Sequence, residues 1–307
     1  MNNEFFSPFW SWWIIIVSLG GILACVWLAR WMSGATVQPG EEVKTMGHVW
    51  DENLSELNNP LPTWWLNMFY VSIAFSLVYL VLYPGLGTFK GVLNWTQVGQ
   101  YEQERQRADD KYGPIFRHYA AIPIPELIKE PKALAIGQRM FLNYCATCHG
   151  SDAGGGPGFP SLKDGDWLYG GEPATIQTSI MNGRSGTMPP MGAAVGGEEG
   201  IEQVAAYVMS LSARKADPQL AEAGKARFVV CAACHGPDGK GNKALGAPNL
   251  TDNIWLYGGS PEAIKKTIRE GRSGHMPPHK DFLGEDKVHI VAAYIYSLSA
   301  PKAIDGK

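Results

Sequence analysis

Cys145-Ala-Thr-Cys148-His149 and Cys231-Ala-Ala-Cys234-His235 decide how the rest of this chain is read. Two thiols separated by two residues on a turn of helix can form thioethers with both vinyl groups of one porphyrin. The histidine that follows then lies under the iron and offers a neutral imidazole nitrogen as axial ligand. Each stretch therefore reads as a site of covalent haem c attachment. Four of the five cysteines are used in this way, and only Cys25 is left over.

A single Cys-x-x-Cys-His is also compatible with chance, a redox dithiol or half of a zinc site. The surroundings argue against all three. From His149 to His235 is 86 residues; Gly183-Arg-Ser-Gly186 returns as Gly271-Arg-Ser-Gly274, 88 residues on. Trp167-Leu-Tyr-Gly-Gly171 returns 88 residues on as Trp255-Leu-Tyr-Gly-Gly259, and Val204-Ala-Ala-Tyr207 returns as Val291-Ala-Ala-Tyr294 after 87. The unit is duplicated. A four-cysteine zinc site made from both pairs leaves the two histidines and the long shared segments unexplained.

Within each copy the order is that of a small cytochrome c. A helix comes first (Ala133 to Tyr144; Leu220 to Val230), carrying Gly137 and Phe141 in one copy and Gly224 and Phe228 in the other. Glycine and an aromatic ring on crossing helices permit close helix–helix approach. The attachment turn follows, then a Gly/Pro-rich loop, then a last helix bearing Val-Ala-Ala-Tyr. After His235 the only methionine is Met276, in Gly274-His-Met-Pro-Pro278, and its repeat partner is Met188, in Gly186-Thr-Met-Pro-Pro190. A thioether on a proline-stiffened loop is a soft sixth ligand that favours ferrous iron. The rivals are His275 and the aligned pair Met191 and His279; ligation by His279 makes the second haem bis-His, and otherwise His279 reads as a surface residue. Arg184/Arg272, Trp167/Trp255 and Tyr169/Tyr257 recur in register. Guanidinium, indole and phenol are suitable donors to haem propionates, with packing the competing role for the aromatic pairs.

Upstream lies an apolar region. Trp10 to Ala29 carries no charge and ends at Arg30; Trp64 to Tyr83 is a second uncharged run of twenty residues. Twenty helical residues rise about 30 Å, enough to cross a bilayer's hydrocarbon core. A cleaved signal peptide needs a basic start, whereas this chain begins Met1-Asn-Asn-Glu4, so an uncleaved span is expected. Two spans put both termini on one side. Haem c is attached outside the cytoplasm in bacteria, so residues 31–61 are expected inside, in weak agreement with Arg30 and Lys44 falling at or in that loop. Between the spans and the haem copies, Gln100 to Asp110 reads as a charged, solvated helix. Ile122-Pro-Ile-Pro125 is expected to be extended, and His118 to be a surface or packing histidine. With a net charge of −3 and no basic stripe, nucleic acid is not an expected partner.

Asn59-Pro-Leu-Pro-Thr-Trp-Trp65 and Leu80-Val-Leu-Tyr-Pro-Gly-Leu-Gly87, followed by two haem c copies, resemble the dihaem subunit (subunit III) of bacterial cbb3-type cytochrome c oxidases over essentially the whole chain. That resemblance implies an all-α protein: two transmembrane helices and two tandem class I cytochrome c domains. The divisions are transmembrane helix 1 (1–32), cytoplasmic loop (33–61), transmembrane helix 2 (62–87), periplasmic connector (88–131) and cytochrome c domains at 132–214 and 217–300. It implies two covalent haems c on Cys145, Cys148, Cys231 and Cys234, with iron held by His149, Met188, His235 and Met276. It implies an inner-membrane electron-entry subunit without a catalytic centre of its own. Electrons from a soluble cytochrome c or similar donor are relayed to a monohaem c subunit and a haem–copper subunit that reduces oxygen. A dihaem anchor of another respiratory complex shares the haem copies but not the Pro-Leu-Pro-x-Trp-Trp segment. A dihaem peroxidase needs an iron with an open position, which the paired methionines argue against.

Overall fold

The computed structural model describes residues 7–34, 40 and 42–299. The Met1–Glu4 segment and Ala300, the last residue of the second repeat, lie outside them. The chain falls into two compact units divided between Asp109 and Asp110.

In the first unit α1 (Pro8–Met32) and α2 (Thr63–Leu82) are both long and apolar enough to cross a membrane. α1 starts at the capping residue Ser7, whose side chain accepts from the Phe9 amide, with Pro8 at the first helical position. Of its residues only Ser11 and Ala29 are buried, and none of α2 is. Faces so apolar and so uncovered suit lipid. Ser11 is buried because Gly87, with φ +59°, turns the chain close over it, and its Oγ accepts from the Thr88 amide at 3.0 Å. Between these two helices β1 (Thr45–Trp50) pairs antiparallel with β2 (Leu54–Leu57), turning through Asp51 and Glu52, both at positive φ. The loop expected at 33–61 thus contains a hairpin.

α3 (Gln97–Ala120) spans the charged run and carries Pro114 inside it. Ile122-Pro123 is followed not by extended chain but by the helical turn α4 (Ile124–Leu127), with Pro125 in its first turn, where a missing N–H costs nothing. The driving force is burial, because Ile124 and Leu127 are both core residues. The turn is tied down further by His289, whose Nε2 lies 2.8 Å from the Ile122 carbonyl. His118 is exposed.

The rest of the second unit is helical apart from one ladder. Its elements are α5 (Pro131–Tyr144), α6 (Ala146–His149), α7 (Pro173–Asn182), β3 (Arg184–Met188), α8 (Gly192–Val195) and α9 (Gly197–Leu211), then α10 (Pro218–Arg227), α11 (Val229–His235), α12 (Pro261–Glu270), β4 (Arg272–Met276), α13 (Lys280–Leu283) and α14 (Glu285–Ser299). Proline opens α5, α7, α10 and α12 at the first turn, so the repeats use one start signal. The protein is mostly helical, with two short antiparallel pairs among the described residues.

The two sequence copies do not pack as two separate balls. α5, from the first copy, crosses α14, from the second; α10, from the second copy, crosses α9, from the first. One hydrophobic core joins Phe141, Ile176 and Ile180 to Leu283, Ile290 and Val291. The other joins Ile201, Val204 and Val208 to Phe228, Ile264 and Ile268. We call the first the outer core, since its two segments flank the second in sequence, and the second the inner core. The boundary read at 214–217 lies inside the inner core, in the turn between α9 and α10. The pairing glycines work as expected, but on the other copy's helix. A Cβ on Gly137 would stand 2.7 Å from Tyr294 Cβ and 2.8 Å from the Ile290 carbonyl oxygen, and one on Gly224 would strike the Gln203 carbonyl. Phe141 and Phe228 complete the crossings against Tyr294 and Tyr207, at ring-centroid distances of 5.6 and 5.1 Å.

The chain passes from outer to inner core along β3 and returns along β4. They pair antiparallel, Arg184 opposite Met276, Gly186 opposite Gly274, Met188 opposite Arg272. The repeats are thus related by an approximate two-fold axis through Gly186 and Gly274.

Candidate haem c sites

Each attachment turn ends a helix in the same way. His149 and His235 are buried, and each Nδ1 lies against a proline carbonyl, Pro160 O at 2.9 Å and Pro248 O at 3.0 Å. Since a carbonyl only accepts, Nδ1 carries the proton and Nε2 keeps the lone pair a metal needs. Burial, foremost, lowers the pKa of both imidazoles; the carbonyl bond opposes this at each site, and His279 adds a further lowering at His149. Both rings are therefore neutral at physiological pH, the form in which an imidazole can bind a metal. Cys145 and Cys231 are half-buried and Cys148 and Cys234 exposed. Burial, with Cys148 adding to it, pushes the Cys145 thiol up to about 11, and burial raises Cys231 likewise. These sulfurs stay uncharged, as thioethers are.

The methionines are delivered by the crossing ladder. Met276 is half-buried and packs against the outer core, which also holds Cys145, Ala146 and Trp167 at its margin. Its backbone lies over Gly183, at the end of α7; the backbone of Met188 lies over Gly271, at the end of α12 in the inner core. The outer core thus has at its margin both Met276 and Cys145, the first residue of the turn that carries Cys148 and His149. The inner core has at its margin Cys231, in the turn that carries Cys234 and His235. Of the rival ligands, His275 is exposed on β4 opposite Ser185. Met191 packs into the inner core. His279 is not a surface residue: it is half-buried and its Nδ1 is fully covered. The cause is the join between α7 and α13, where the His279 amide donates to Ile180 O at 3.0 Å and draws the residue inward.

Arg184 lies over the Tyr169 ring (4.6 Å to the centroid) and donates from Nε to Ser179 Oγ at 2.9 Å. Arg272 repeats this over Tyr257 (4.5 Å), with Thr267 Oγ1 at 3.0 Å. Neither is paired with a carboxylate among the described residues. Trp167 packs on the outer core and Trp255 on the inner, where Arg214 covers its ring. Sequence reading missed Arg214, which closes the first repeat and has no arginine 87 or 88 residues on in the second. Among the described residues two buried side-chain polar atoms have no protein partner, Trp255 Nε1 and His279 Nδ1. Fixed imidazoles with free Nε2 atoms, paired cysteines, arginines without a carboxylate and orphaned buried polar atoms together fit a haem c, whose propionates accept hydrogen bonds.

Two such turns in cores of this kind define a dihaem cytochrome c. Residues 132–208 and 219–295 each match the family model for cytochrome c oxidase, cbb3-type, subunit III, and residues 42–90 match that for the N-terminal domain of cytochrome oxidase-cbb3, FixP. The chain belongs to the subunit III family of cbb3-type cytochrome c oxidases. It is 45% identical over 302 residues, 98% of this chain and 99% of the relative, to the cbb3-type cytochrome c oxidase subunit CcoP of Rubrivivax gelatinosus. It is 39% identical to the subunit FixP of Sinorhizobium medicae, over 83% of this chain and 94% of that one. To the subunit CcoP of Rhodobacter capsulatus it is 36% identical, over 84% and 96% respectively.

Proposed function

We propose that this chain is the membrane-anchored electron-entry subunit of a cbb3-type oxidase. It takes electrons from a periplasmic donor such as a soluble cytochrome c and passes them to a monohaem c subunit and the oxygen-reducing haem–copper subunit. When bound, each haem supplies one-electron iron chemistry. The chain's own residues hold, orient and shield. Cys145 and Cys148, and Cys231 and Cys234, are the attachment thiols. His149 and His235 are axial ligands, oriented by the carbonyls of Pro160 and Pro248. Arg184, Arg272, Trp167 and Trp255 face the propionates. α1 and α2 are two spans with both ends of the chain in the periplasm and 33–61 in the cytoplasm, and 88–131 is the connector. A reporter fused after Thr45 should behave as cytoplasmic; a periplasmic result defeats this topology.

The sixth ligands are exchanged between the repeats: Met276 serves the iron over His149, and Met188 the iron over His235. The observation that carries this is the ladder from Arg184 to Met276, which packs Met276 on the core beside Cys145 and lays the backbone of Met188 over Gly271, at the end of α12 in the other core. A chain with Cys145→Ala and Cys148→Ala keeps only the haem on Cys231 and Cys234. In it Met188→Ala should abolish the near-infrared thioether-to-ferric band and Met276→Ala should leave it. The reverse result means that each repeat is self-sufficient.

A further inference from the structure

The two cores correspond position by position, so a chemical difference between them is where their properties part. Met188 and Met276 are each followed by two prolines; the next residue is Met191 in one copy and His279 in the other. The backbones of these two do the same work. The Met191 amide donates to Ile268 O at 2.8 Å, as that of His279 does to Ile180 O. The side chains do not. Met191 fills space in the inner core. His279 leans on Phe282, at 5.5 Å between centroids, and its covered Nδ1 meets no protein acceptor. A covered polar atom without a partner calls for an explanation. The His279 amide is bonded to Ile180, a residue of the outer core on whose margin Cys145 and Met276 pack, so His279 belongs to the core that carries the Cys145–His149 turn.

In the proposed function this core holds the haem attached at Cys145 and Cys148, and the role of His279 rests on that reading. In that haem the vinyl groups are consumed as thioethers and the pyrrole nitrogens by iron, which leaves the two propionates as hydrogen-bond acceptors. We propose that His279 is a positioning residue: its Nδ1–H donates to a propionate of the haem held by Cys145, Cys148 and His149, a bond the other haem lacks because Met191 stands in that place. A donor there offsets the carboxylate's negative charge, which otherwise favours ferric iron. It therefore raises the potential of one haem and not of its twin.

The test uses the full chain in detergent, titrated electrochemically while the haem absorbance is followed, with resonance Raman for the propionate bending bands. In His279→Leu one of the two redox components should move to lower potential, with one propionate band shifted and the other component unmoved. His279→Gln, which keeps an N–H donor, should recover most of the shift. In the Cys145→Ala, Cys148→Ala chain, which keeps only the other haem, His279→Leu should move nothing. Potentials and Raman bands unchanged in His279→Leu overturn the proposal and leave Met276 as ligand. Equal movement of both components, or no recovery in His279→Gln, also overturns it. Loss of a thioether band or a change of spin state in His279→Leu marks the histidine as the axial ligand, in which case the Met276 reading itself fails.

Discussion

The outer and inner cores contain the same helices in different chain order. In the inner core the helix bearing Val-Ala-Ala-Tyr comes first and is joined to the next through residues 212–217, so α9 and α10 form a helical hairpin. In the outer core the equivalent pair, α5 and α14, stand at opposite ends, with the whole inner core between them. Equal packing can thus rest on very unequal connectivity. Bringing α5 and α14 together across an unfolded chain costs roughly 2–3 kcal/mol more than closing the hairpin, by the logarithmic dependence on loop length. The inner core is local and the outer core depends on it: once the inner one has folded, the ends of the outer one are already near.

Removing one haem at a time probes this contrast most strongly. Cys145→Ala with Cys148→Ala should leave one haem per chain with its thioether band intact. Cys231→Ala with Cys234→Ala should cost more than its own haem, because Met276 reaches the outer core only by way of β4, and the surviving haem should lose much of its band. Haem content and near-infrared spectra of the two chains check this, and equal outcomes defeat the dependence.

Next in size are the buried rings. Phe141→Ala and Phe228→Ala each remove a core aromatic and should cost about 3–5 kcal/mol. The loss at Phe228 should lower the unfolding midpoint of both haem signals, that at Phe141 chiefly the signal of its own haem. Gly137→Ala should cost about 1–3 kcal/mol, because the new methyl meets the Ile290 carbonyl and Tyr294 on the facing helix. Thermal melts followed at the haem bands measure all three.

The smallest effect concerns Glu198 and Arg269, which join α9 to α12 in the inner core through an exposed pair, with Arg269 Nε donating to Glu198 Oε1 at 2.8 Å. The hydrogen bond from Arg269, foremost, holds the Glu198 carboxyl below its ordinary value. The folded state therefore binds fewer protons there than the unfolded one. The contribution is present above the unfolded value and lost as pH falls through the folded one. Glu198→Gln should lower the inner-core midpoint slightly at neutral pH, and the difference should fade in acid and in high salt. A difference that persists in acid assigns the effect to packing.

The Cys-x-x-Cys-His turns, the duplication and the two long apolar helices were legible because each is written in residue types and lengths that local sequence alone displays. The exchange between repeats was not. Gly137 suits Tyr207 as well as Tyr294, since the copies share one motif, and similarity at an offset of 88 says nothing about which copy's helix is met. The short run 212–217 was the available signal, because two long helices joined by so few residues tend to be antiparallel neighbours. His279 was misjudged because a Pro-Pro turn looks like surface; what covers it is an amide-to-carbonyl join to Ile180, 99 positions earlier. Ile122-Pro-Ile-Pro125 was read from proline's local restriction, whereas burial of Ile124 and Leu127 decided the outcome.

The ladder centred on Gly186 and Gly274 has a consequence at the level of the gene. Those glycines stand at the same place in two copies of Gly-Arg-Ser-Gly, the kind of repeated stretch at which recombination deletes the intervening segment. A deletion in frame from one to the other removes 88 residues, among them the whole inner core. The shortened chain runs from α5 through α7 to Gly186, then at once into His275, Met276, α13 and α14. The outer core's segments would then be joined directly, with Cys145, Cys148, His149 and Met276 all retained. Such a chain should bind one haem, with His/Met ligation, and its haem content and thioether band measure whether it does. The exchanged architecture thus carries a contiguous single-haem protein within it, one deletion away.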